Sequence, residues 1–191
     1  MTERDLQQAF ERCLSDPLGR LVGSHGPGAV APPAVGAWNL PSADIDALRA
    51  WGVPIFRETG RSPIQLVGAI QSDELPSMMA RGYSAYGIGR YWRREIGALE
   101  HSGTVIGVPY ETTDDATSDA TSDLSFLNSS VKAFLEIAWR WGAAREVLLA
   151  FDDYERLYEN LGRFQDLVHR LDPMVGSTAE YAWWDGIVEG W

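Results

Sequence analysis

Residues 122–141 read SDLSFLNSSVKAFLEIAWRW, and the way this stretch folds decides what the rest of the chain can be. Asn128 is a short polar residue of the kind that caps a helix, and after it Val131, Phe134, Leu135 and Ala138 recur at helical spacing as one apolar stripe. Lys132, Glu136 and Arg140 follow one another at four-residue intervals on the other side, where opposite charges support a helix. The stretch is therefore read largely as a packing helix with one dry face.

What that face packs on lies upstream. Residues 83–110, YSAYGIGRYWRREIGALEHSGTVIGVPY, carry short β-favouring pieces separated at Arg93-Arg94 and at Ser102-Gly103, which suits an antiparallel meander of three strands. Gly87, Gly89, Gly97 and Gly107 would weaken flat strands, so bends or close backbone approaches, and a curved sheet, are expected. Between meander and helix, residues 111–123 repeat DATS at Asp115–Ser118 and Asp119–Ser122. With no apolar anchor, this acidic run is expected to be a mobile surface loop.

Downstream, a helix beginning at Asp152 or Asp153 places Tyr154, Leu157, Tyr158, Leu161, Phe164, Val168 and Leu171 along a stripe and stops before Pro173. Glu159 and Arg163 read as a supporting pair on its opposite face. The pattern Ser177-x-x-Glu180 is a capping box for a last helix, on which Tyr181, Trp184, Val188 and Trp191 share a side.

Towards the amino end, Leu6, Ala9, Phe10, Cys13 and Leu14 form a helical stripe that Asp16-Pro17 terminates. The Gly- and Pro-dense stretch from Val22 to Gly36 reads as a long loop. In LPSADIDALRAWGVP, Ser42 can cap a short helix, Asp44 and Asp46 suit the positive end of its dipole, and Gly52 stops it. IFRETG and SPIQLVGAI then read as two strands around a Gly60 turn. The sum is an α+β class: a curved antiparallel or mixed sheet backed by helices, in one domain over residues 1–191 with residues 1–37 as an N-terminal helix and Gly/Pro loop.

Bulk properties narrow the function classes. Apolar content of 45% with eight Trp rules against a disordered chain. No run approaches the roughly 20 apolar residues of a membrane span, and MTERDLQQAF is charged and helix-like, so a cytoplasmic address with no membrane partner is expected. A formal charge of −11 repels phosphate backbones, which argues against direct nucleic-acid binding and favours a basic partner. The lone thiol, Cys13, cannot form an internal disulfide and reads as a small buried hydrophobe.

Catalytic patterns are missing one by one. Gly87-Ile88-Gly89 is followed by Trp92 where a dinucleotide fingerprint needs its third glycine, and GSHGPG at 23–28 lacks the Lys-Ser/Thr of a phosphate loop. His25, His101 and His169 stand far apart with no Cys or second His at ligand spacing, so neither metal nor cofactor is expected. The acidic repeat has neither the central glycine nor the closing Glu of a calcium loop. His101-Ser102 has no nucleophile elbow, and Asp152-Asp153 fits a helix cap better than paired catalytic carboxylates.

The order of features carries a resemblance. Phe126-Leu127-Asn128-Ser129-Ser130 leading into Phe134 and Leu135, the stretch from Leu40 to Pro54, and the terminal YAWWDGIVEGW together resemble the SUKH superfamily of bacterial immunity proteins, specifically its fourth branch. The similarity runs from about Trp38 to Trp191, while the acidic repeat looks like an insertion of this chain's own. It implies a curved sheet backed by helices and a non-enzymatic task, binding a cognate polymorphic toxin, often a nuclease or nucleic-acid deaminase, and masking its active surface. A regulatory scaffold role also lies within the resemblance. The alternative outside it is a small hydrolase or transferase that gathers Asp152, Asp153 and His101 into one deep pocket.

For a toxin binder, the expected contact residues are Tyr86, Tyr91 and Trp92 on the meander, since interface hot spots favour aromatics, with core packing as the competing role for each. Asp114, Asp115, Asp119 and Asp123 of the acidic run are the expected electrostatic contacts to a basic partner.

Overall fold

A computed structural model describes residues 2–24, 30–55, 66–80, 82–91, 94–109, 124–175 and 183–189. The acidic run 111–123, the strand expected around Gly60, the Ser177–Glu180 capping box, Tyr181 and Trp191 lie outside the described residues.

The deciding stretch splits into two elements. Ser125–Asn128 is a strand, and the helix begins only at Val131 and runs to Leu148, with Ser130 as its cap accepting from the Ala133 amide at 3.1 Å. Asn128 therefore ends a strand instead of starting a helix. This helix is apolar nearly all round: besides the predicted stripe, Ile137, Trp139, Trp141, Ala143, Ala144 and Leu148 are buried. Such a helix belongs in the middle of a molecule. Arg140, expected on a solvated side, is buried as well.

The other elements surround it. In chain order these are α1 (Glu3–Ser15), α2 (Leu18–Ser24), a 3-10 helix (Pro33–Ala37), α3 (Ser42–Trp51), β1 (Leu66–Gly68), β2 (Met78–Ala80), β3 (Tyr83–Tyr91), β4 (Arg94–Leu99), β5 (Val105–Pro109), β6 (Ser125–Asn128), α4 (Val131–Leu148), α5 (Tyr154–Leu171) and α6 (Trp183–Glu189). Helices α1, α2, α3 and α5 all pack against α4. One cluster of buried residues joins Phe10 of α1, Leu48 of α3, Tyr86, Ile88, Ile96, Ala98 and Val105 of the sheet, Phe134 of α4 and Phe164 of α5.

Every strand pairing among the described residues is antiparallel, in the order β1-β3-β4-β5-β6, with β2 also on β3. The three-strand meander is β3, β4 and β5. β1 and β2 share β3, Leu66–Gly68 facing Gly89–Tyr91 and Met78–Ala80 facing Tyr83–Ala85. In the gap between them Gln71 stands in for a strand: its amide donates to the Gly87 carbonyl at 2.9 Å and its Oε1 accepts the Gly87 amide at 2.8 Å. The ladder shifts register at this point, between Gly87 and Gly89, where the glycines predict an irregularity, and again at Val105/Ile106, where they do not. At Gly97 an added Cβ would lie 3.0 Å from the Met78 sulfur and 3.2 Å from the Ala85 Cβ, so a side chain there requires these neighbours to shift.

Three local expectations change. Helix α2 continues through Val22 to Ser24 and Pro33–Ala37 is helical, so the Gly/Pro stretch is shorter as a loop than its composition suggests; Pro at a helix start is preorganised for it. Pro41 occupies the cap position of α3 and Ser42 is its first helical residue, with no side-chain cap bond. On α5, Asp153 is the cap, accepting from the Glu155 and Arg156 amides, and Leu161, Phe164, Leu167 and Val168 face inward. Arg163 turns away from Glu159 to make a two-pronged pair with Glu11 of α1 at 2.5 and 2.7 Å, while Glu159 pairs with Arg156.

Candidate functional site

Tyr86 does not stand on a surface. It is 2% exposed, its ring stacks on Trp38 at 4.6 Å, and its hydroxyl accepts the Asn39 amide at 3.0 Å. The core-packing role wins there, because the residue alternates inward beside Ile88 and Ala98. Tyr91, at the far end of β3, is half-buried, meets Trp183 of α6 edge-on at 5.0 Å, and burial pushes its phenol well above the usual range. Trp92, Asp114, Asp115, Asp119 and Asp123 lie outside the described residues.

The residues of the enzymatic alternative occupy exposed positions at element ends, not the interior of a pocket. His101 sits in the β4–β5 turn at φ +69°, its amide donating to the Asn39 carbonyl at 2.7 Å. Asp153 caps α5, and Asp152 precedes it. Cys13 is buried, and desolvation pushes its thiol up to about 11, which leaves it protonated and unreactive at neutral pH. Among the described residues no three His, Cys, Asp or Glu side chains are grouped to hold a metal ion.

Three buried polar side chains explain the motif residues. Asn128 donates to Asp172 at 2.9 Å and accepts the Trp184 indole at 2.9 Å, and the Ser129 amide donates to the same Asp172 carboxylate at 2.7 Å. The Asn-Ser-Ser segment thus ties β6 to the end of α5 and to α6. Arg140 donates to the Cys13 carbonyl at 2.9 Å, satisfying an acceptor at the end of α1, and is held by Glu136 at 3.0 Å. Asp44 reaches from α3 to accept the Lys132 amide at 2.8 Å, closing the start of α4. Burial raises the Asp44 carboxyl, the two amides at the start of α4 pull it back down, and its Oδ2 has no hydrogen-bond partner among the described residues.

The surface features that sequence reasoning missed are apolar groups left in water. Leu75, Met79 and Tyr83 stand exposed around the β2–β3 hairpin. On α5, Tyr154 and Tyr158 are 76% and 70% exposed although both fit the predicted inward stripe. The available signal was phase: continuing their side of the helix leads to Gly162, Gln165 and His169, none of them apolar.

No helix among the described residues is long and apolar enough to cross a membrane. No curated protein and no solved structure matches the chain. The sequence profile of the SUKH-4 immunity protein family does match, over residues 14–190, beginning earlier than the Trp38 expected and taking in α2 and the 3-10 helix. With the antiparallel sheet, helices α2 to α6 and the Asn128 network all inside that span, the chain belongs to the SUKH-4 immunity protein family.

Proposed function

We propose that this protein is a non-enzymatic cytoplasmic immunity protein that binds a cognate polymorphic toxin and covers its active surface. The observation that carries the reading is the family match across residues 14–190. The charge of −11 favours a toxin acting on nucleic acid, a nuclease or deaminase, because such a toxin must present a basic track to phosphates. An acidic inhibitor both steers the encounter and occupies that track. Tyr91 at the end of β3, together with Trp92, Asp114, Asp115, Asp119 and Asp123, are the proposed contact groups; Tyr86 supports Tyr91 from inside by fixing β3 against Trp38.

The test is direct. Purified protein mixed with the toxin domain encoded beside its gene is expected to elute as a stable complex and to abolish the toxin's activity. Absence of binding at micromolar concentration overturns the pairing.

A further inference from the structure

We infer that the outward face of α5 is a second docking surface for the toxin, built around Tyr154 and Tyr158 and suited to a basic protein surface. The inference rests on the immunity reading and adds a place of contact to it. The two tyrosines are four positions apart, so they stand one above the other on one side of the helix. Both are largely in water, and among the described residues neither makes a hydrogen bond or ring contact. Tyrosine left in this way offers large contact area at a small entropic cost on binding.

The platform beneath them is rigid. Phe164 and Leu161 anchor the inner side of α5, with Phe164 against Trp141 of α4 at 5.1 Å, and the Arg163–Glu11 pair ties the helix to α1. One turn beyond Tyr158, Gly162 has no atom within 4 Å of where a side chain would begin. A glycine inside a helix is destabilising relative to alanine. Here it leaves an open notch beside the two rings.

Charge selects the occupant. Asp152, Asp153, Glu155 and Glu159 are exposed around the first turns of α5, and the cation among them, Arg156, is already engaged by Glu3 and Glu159. Arginine or lysine from a partner can lie over the tyrosine rings and pair with these carboxylates. A nucleic acid, or a second copy of this chain with the same charge of −11, meets repulsion instead.

The experiment uses the full-length protein and the toxin domain encoded beside its gene, with affinity measured by calorimetry and folding by thermal melting. Tyr154→Ala/Tyr158→Ala is expected to weaken binding at least about 30-fold, as removal of hot-spot aromatics does, with the melting temperature unchanged. Gly162→Arg, which adds bulk and positive charge in the open notch, is expected to weaken binding at least about tenfold and serves if the double variant loses its fold. Binding by a folded variant within about threefold of wild type overturns the α5 surface and leaves the immunity reading intact. A wild-type protein that fails to bind overturns both. A wild-type dimer dissolved by the double variant assigns the face to a second copy, which also overturns the inference.

Discussion

Asp44 shows how one carboxylate can serve a helix other than its own. Placed near the start of α3, it completes the start of α4 by accepting the Lys132 amide, and Asp44→Ala is expected to cost about 1–2 kcal/mol in urea unfolding, the usual penalty for a lost cap. Burial raises its carboxyl above the ordinary 3.8, so the folded state holds this proton more tightly than the unfolded chain. The resulting stabilisation is complete below pH 3.8 and is lost as pH rises through the raised value. Asp44→Asn, which keeps an acceptor and carries no charge, should therefore gain on wild type between pH 3.5 and pH 7. Glu11 has the opposite sign: the Arg163 hydrogen bonds hold it below 4.5, so its contribution is present at neutral pH and disappears as pH falls through the lowered value. Arg163→Ala is expected to cost about 0.5–1 kcal/mol at pH 7, modest because both partners are part-exposed, and less at pH 2.5. The acids at a helix start were legible in the sequence, but their partners were not. Asp44 answers to a residue 88 positions away and Asn128 to one 44 away, distances at which local pattern is silent.

Elements were legible where period alone defines them. The α1 stripe, the α3 stop at Gly52, the β3-β4-β5 meander and the length of α5 followed from spacing and punctuation. The phase of α5 did not, because tyrosine fits a wet or a dry face and only the fold decides. Helix α2 was hidden by the glycines and prolines that follow it. The turn between β4 and β5 gives the sharpest test at this scale. Gly103 lies at φ +70°, and an added Cβ would collide with the Asp44 carboxylate. Gly103→Ala is expected to destabilise by about 1–3 kcal/mol from backbone strain alone, with the collision adding to it. Gly162→Ala should do the reverse, stabilising by about 1 kcal/mol, since it sits within a helix with open space around it. Parallel urea titrations of the two variants, moving in opposite directions from wild type, check both.

At the scale of the whole molecule, the α+β class and the immunity family were readable because a central apolar helix, a glycine-bent meander and the Asn-Ser-Ser junction leave consecutive marks in the chain. The binding surface was less readable, since exposure is a property of the folded body: Tyr86 and Tyr158 look alike in sequence and end at 2% and 70% exposure. Net charge acts on the whole body too. Changing Asp114, Asp115, Asp119 and Asp123 to Asn is expected to leave the melting temperature unchanged and to slow toxin association several-fold at low salt, with the difference closing as salt is raised. Stopped-flow mixing at two ionic strengths measures it, and equal rates would assign the run to solubility. The indole nitrogens supply a ready optical reporter for these measurements. Trp38 donates to the Asp73 carbonyl, Trp139 to that of Gly52 and Trp184 to Asn128, each pinned in a dry site by a segment distant in the chain. Their emission in the native protein should lie at short wavelength, and because each anchor crosses a different part of the fold, a red shift shared by all three marks cooperative unfolding without any added dye.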